Sequence, residues 1–186
     1  MERQGSKDGL DFRASVNLFV TLCYAYAACF TPFVRWGFGQ EALGIAGVGA
    51  LIIILGTAAF AHEPRLVNYA GYWLVALVIQ RAKTWSDWFS GRVVHSWYGG
   101  YPLLAALNPD KVHVVKWFIE PAVCFVIGVW LSDTSPVLCR FFTGGAGALL
   151  LVQCIEWRVA QLQLQQMRDA QIEQRHLADL FRGRPH

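Results

Sequence analysis

The apolar residues of this chain are gathered into long blocks, and that gathering restricts its fold more than any other feature. A helix needs about 20 consecutive apolar residues to cross a bilayer core. Residues 14–34 form a first block, closed by Arg35 and Trp36, with Asn17 as its only amide. Residues 42–61 form a second without a charge, ended by the His62-Glu63-Pro64-Arg65 breaker. A third block, 66–79, is too short to cross comfortably and carries Tyr69, Tyr72 and Trp73, residue types that settle at headgroup level. Asn108, Pro109 and Asp110 make a good helix start, and a helix over 109–131 is long enough to span. The last block covers 136–155, with Arg140 near its start and Glu156 at its end.

Charge decides the number of spans. If 66–79 crosses, five basic residues (Arg3, Lys7, Arg13, Arg65 and Arg140) face eleven on the other side. If it lies in the interface or re-enters, fourteen face two, Arg35 and Arg140. The second division obeys the positive-inside rule better. The expected fold is therefore all-α: a polytopic membrane protein with about four transmembrane helices, an interfacial or re-entrant helix in the middle segment, and a long C-terminal helix. Its regions are a cytoplasmic N-terminus (1–13), a first transmembrane hairpin (14–61), an aromatic interfacial segment (62–108), a second hairpin (109–155) and a helical tail (156–186). Both termini are expected in the cytoplasm, under a bacterial plasma (inner) membrane.

Composition agrees with this class. Charged residues make up 16% of the chain, against about 25% in an average soluble domain. A net charge of +3 reads as ordinary positive-inside bias, not as a nucleic-acid footprint. The first block is too long for a cleavable signal and reads as a signal anchor. The five cysteines (Cys23, Cys29, Cys124, Cys139, Cys154) form no CxxC and no metal-ligand spacing, so they read as small hydrophobes.

Two regions carry candidate sites. In the middle segment Trp85, Trp88, Phe89, Trp97 and Tyr98 are interleaved with basic residues including Arg92, and His95 lies among them. That pattern fits an aromatic belt against the headgroups, or a docking surface for a partner or an anionic lipid. The second candidate is Glu120, a carboxylate inside an apolar block and so costly unless it is used. Lys116, four residues earlier, is within helical pairing reach, and Pro121 predicts a kink.

No pair of intramembrane histidines, HExxH, GxSxG, P-loop or GxGxxG fingerprint occurs, which points away from an enzyme, a metal or a cofactor. Ala42, Ala46 and Ala50, and Gly144 with Ala148, form small-residue ladders suited to close helix packing. The tail from Glu156 to Arg182 lacks Gly and Pro, a rod of roughly 40 Å with an untidy apolar stripe. The expected function is a non-enzymatic membrane subunit that anchors or scaffolds a secretion, conjugation or energy-transducing complex. Its partners are membrane lipids and other subunits or copies of itself. The rivals are a small homo-oligomeric channel or transporter, and a lipid-acting enzyme using His95 and Asp87.

Overall fold

The computed structural model describes residues 3–39, 44–91, 100–107 and 109–181. Among these residues the structure is all-α apart from one two-residue strand pair. In order come α1 (Arg3–Ala28), α2 (Thr31–Val34), β1 (Arg35–Trp36), α3 (Gly44–Phe60), α4 (Pro64–Phe89) and β2 (Tyr101–Pro102). After two 3₁₀ turns follow α5 (Val112–Val114), a π turn over Val115–Ile119, α6 (Glu120–Trp130) and α7 (Pro136–Phe181). Among the described residues two helical stretches are long and apolar enough to cross a membrane, Val112–Trp130 and Pro136–Ala178. The apolar helices Ala14–Ala28 and Gly44–Phe60 are shorter.

Contacts divide the chain into two units, Met1–Val152 and Gln153–His186. The first holds the core, which is built from Cys29, Phe30, Ala50, Ile54, Leu66, Trp73, Phe141 and Leu149 among others. The second is the remainder of α7, with Leu162, Leu164, Met167, Ile172 and Leu177 exposed by between 47% and 65%.

The third apolar block differs from the expectation of a short interfacial helix. Residues 66–79 are the first half of α4, which runs on for 26 residues in all. Arg81 and Lys83 end the apolar run without ending the helix, because both are good helix formers. The buried stripe Leu66, Ala70, Trp73, Gln80 and Thr84 continues through the change in composition. Helices α3 and α4 are joined by a tight turn: Glu63 N donates to Ala58 O at 3.0 Å and His62 takes φ 51°, the Schellman arrangement.

The small-residue ladders are put to two uses. Gly49 lies against Ala25, where an added Cβ would stand 2.8 Å from that of Ala25, so α1 and α3 approach closely there. Gly144 and Gly145 instead make room for aromatic rings. A Cβ on Gly144 would meet the Tyr26 ring and hydroxyl, and one on Gly145 would overlap the Phe30 ring. Phe30 packs at 5.2 Å from both Phe141 and Phe142, between centroids.

Candidate functional site: a returning segment held by a buried ion pair

The first apolar block is not one helix. Pro32 has no N–H, so the carbonyl of Ala28 loses its helical donor and α1 stops. The last turn tightens, with Cys29 N donating to Tyr26 O and Phe30 N to Ala27 O. Phe30 O and Thr31 O are met locally, by Phe33 N and Arg35 N, but the carbonyls of Ala28, Cys29, Pro32, Arg35 and Phe38 take donors from elsewhere, since buried backbone acceptors left unpaired are costly.

Helix α4 supplies them. Trp73 Nε1 donates to Ala28 O at 2.9 Å, and the Tyr69 hydroxyl donates to Cys29 O at 2.9 Å. Gln80 Nε2 donates to Arg35 O at 2.8 Å and, more weakly, to Pro32 O at 3.4 Å. The Thr84 hydroxyl lies 3.2 Å from Phe38 O and 3.0 Å from Gln80 O, and its single proton serves one of them at a time. These four donors are spaced 4, 7 and 4 residues apart, so at 100° per residue they share one narrow face of α4.

The order of these bonds gives the path of the chain. One step from Ala28 to Cys29 moves from Trp73 back to Tyr69, toward the start of α4. Pro32 and Arg35 then reach Gln80, and Phe38 reaches Thr84, toward its end. Thus α1 comes in against α3, the chain turns near Cys29, and the segment from Pro32 to Phe38 runs along α4 toward its end. Cys29 Sγ, 3.6 Å from both Ala25 O and Ala50 O, sits at the turn against α3.

Arg35 sits on the returning limb and reaches across to α6. Its Nη2 is 2.7 Å from Glu120 Oε2, and its Nε lies 3.0 and 3.1 Å from the two carboxylate oxygens. The side chains are 3% and 1% exposed. Each charge therefore supplies the neutralisation that water would otherwise give, through a planar fork suited to a carboxylate. The limb is also paired antiparallel with β2, Arg35 opposite Pro102 and Trp36 opposite Tyr101. Gly100 permits that approach: its φ is +85°, and a Cβ there would stand 3.0 Å from the Arg35 Cβ. Lys83 Nζ caps the outer side, 4.4 Å over the Trp36 ring.

Glu120 is presented by the π turn. Pro121 cannot donate to Trp117, and the preceding turn widens so that Glu120 N bonds Val115 O. Val115 and Glu120, five residues apart, consequently share the buried face that continues through Cys124 and Gly128. Two polar atoms in this region, Thr31 Oγ1 and Gln80 Oε1, are buried without a hydrogen-bond partner among the described residues.

Among the described residues no group of three or more His, Cys, Asp or Glu side chains is placed to hold a metal ion. No family model matches the chain, and neither a curated protein nor a solved structure does.

Other residues singled out from the sequence lie elsewhere. Trp85, Trp88 and Phe89 are exposed on the last turns of α4. Trp85 and Trp88 line a cleft of about 320 Å³ with Arg81 and Thr84, and the Trp88 and Phe89 rings are 5.0 Å apart. Lys116 is half-buried in the π turn. Arg92, His95, Trp97 and Tyr98, like Ala42 of the first small-residue ladder, lie outside the described residues. Sequence reasoning missed Arg35, Gln80 and Thr84. The signal for the last two was present, as donor side chains recurring on one face of a helix that also carries Tyr69 and Trp73.

Proposed function

We propose that this chain is a non-enzymatic integral membrane subunit, a rigid anchor whose exposed C-terminal helix holds a partner chain of a larger complex. The observation that carries this reading is the state of Glu120. A channel or proton carrier needs its intramembrane carboxylate open to a path, whereas this one is 1% exposed and held by Arg35 at two oxygens. The apolar residues exposed along the second unit give a partner helix something to bury.

The membrane reading rests on the outward faces. Ile45, Val48 and Ile52 on α3, Val67, Val75 and Val78 on α4, and Phe125, Val126 and Val129 on α6 are all exposed, far more apolar surface than a soluble monomer leaves open. In this reading α3, α4, Val112–Trp130 and the first part of α7 cross, while α1 enters and returns. At 17 residues α3 is at the lower limit for a crossing. Fourteen of the sixteen basic residues then lie toward one face, leaving Arg65 and Arg140 toward the other, which makes the basic face cytoplasmic.

Topology is checked with single reporter cysteines in a cysteine-free background, labelled by an impermeant maleimide in intact cells. Positions 62 and 134 are expected to label from outside; positions 7 and 176 are expected to label only after permeabilisation. Labelling of position 7 from outside would make α1 a true crossing and end this arrangement. Function is checked by native mass and subunit composition after mild detergent extraction. A partner at fixed stoichiometry, lost when Leu162, Met167 and Ile172 are changed to Gln while the chain stays in the membrane, is the expected result. A lone chain or a pure homo-oligomer would overturn the anchor reading.

A further inference from the structure

Beside Tyr26 of α1 a space is left between the end of α3 and the start of α7. A cavity of about 450 Å³ lies there, within the range of small-molecule and lipid sites. Ile53, Phe60 and Phe141 give it apolar walls, and Tyr26, Thr57 and Arg140 are its polar members. The two hydroxyls spend their protons on backbone carbonyls, Tyr26 on Phe141 O at 2.8 Å and Thr57 on Ile53 O at 2.7 Å. Arg140 is different. Its guanidinium, unlike that of Arg35, has no hydrogen bond or ion pair with any described residue. The cavity thus combines an apolar interior with one unspent cationic fork at its edge, suited to a phosphodiester.

We infer that this cavity holds one anionic phospholipid, its phosphate on Arg140 and an acyl chain against Ile53, Phe60 and Phe141. Charge complementarity selects an anionic headgroup, and the apolar walls select a lipid over free phosphate. The inference rests on the membrane reading above and names a ligand for a region that reading leaves unused.

The test is native mass spectrometry of the full-length protein, delipidated in detergent and offered equal amounts of dioleoyl phosphatidylglycerol and dioleoyl phosphatidylcholine. Both lipids offer the same phosphodiester, but the choline cation offsets its charge, so the wild-type chain should retain one phosphatidylglycerol with about a tenfold preference, the worth of one net charge near Arg140. Arg140→Gln should bring the preference close to unity, and Arg140→Lys should keep part of it. Equal retention of both lipids by the wild type, or a preference untouched in Arg140→Gln, overturns the inference. Displacement of the bound lipid by millimolar glycerol 3-phosphate would assign the site to a soluble phosphate and overturn it also. Extraction of the chain from its membranes by alkaline carbonate would instead sink the membrane reading. A chain that resists carbonate yet shows no lipid preference loses this inference alone.

Discussion

Two of the polar ties between the first half of this chain and the second stand in opposite surroundings. Arg35 and Glu120, 85 residues apart, meet in a dry interior with side chains 3% and 1% exposed. At the end where α3 turns into α4 and α6 into α7, Ser135 Oγ donates to Glu63 Oε2 at 2.5 Å and Arg65 Nη1 to Thr134 O at 2.9 Å. There the Arg65–Glu63 pair is open, 3.9 Å apart with the arginine 52% exposed. The chemistry of the two ties is similar, an arginine, a glutamate and a few backbone groups. Solvent makes the difference. A dry pair is expensive to assemble and more expensive to break singly, whereas an open pair is screened and nearly neutral.

The comparison is most exposed to failure at Glu120. Glu120→Ala leaves the Arg35 charge buried without its carboxylate and should cost about 3–5 kcal/mol. The double change Arg35→Met with Glu120→Leu removes both charges, and the same rule expects most of that loss to be recovered. Unfolding midpoints in mixed detergent, with sodium dodecyl sulfate as denaturant, measure both. If Glu120→Ala unfolds within 1 kcal/mol of wild type, on the order of an exposed pair, the interior is wetter than described and the contrast disappears. If the double change is as damaging as the single one, Arg35 is holding the backbone of the returning limb more than the carboxylate.

The partner of Glu120 explains how far the sequence could be read. Helical spacing offers only neighbours three or four residues away, so Lys116 was the visible candidate and Arg35 was not. Arg35 looked like the charge that closes a span, since nothing local distinguishes a closing charge from a buried one. The all-α class and the continuous C-terminal helix were legible because apolar blocks and the absence of Gly and Pro are local properties. The break in the first block was half-legible: Pro32 removes a helical donor wherever it stands, but whether the chain then continues or turns back depends on who supplies the freed carbonyls. That supplier, the face carrying Tyr69, Trp73, Gln80 and Thr84, lies in another element. The length of α4 was hidden for a related reason. Hydropathy stops at Ile79, yet the helix continues because its buried stripe does.

A smaller test addresses that face directly. Tyr69→Phe deletes one hydroxyl and leaves the ring among Phe30, Phe33, Phe141 and Phe142. The carbonyl of Cys29 then has lost the donor at 2.9 Å, a deficit of about 1–3 kcal/mol where water cannot replace it. The same unfolding titration reads it. A neutral Tyr69→Phe, together with a neutral Trp73→Phe, would mean that water reaches the turn at Cys29, and the returning limb would be held by Gln80, Thr84, Arg35 and β2.

The smallest effect belongs to the open tie. Ser135 does two things there: its hydroxyl donates to Glu63 and its oxygen accepts from Leu138 N at 3.4 Å, a long capping bond at the start of α7. Ser135→Ala removes both, and about 1 kcal/mol is expected, most of it from the lost cap. Arg65→Gln should move stability less still, since its carboxylate partner is screened. The informative comparison is therefore a ratio. Glu120→Ala should exceed Ser135→Ala by about threefold, in line with the gap between dry and open pairs. Equal losses at the two sites would show that the turns, and not the interior, hold the two hairpins together.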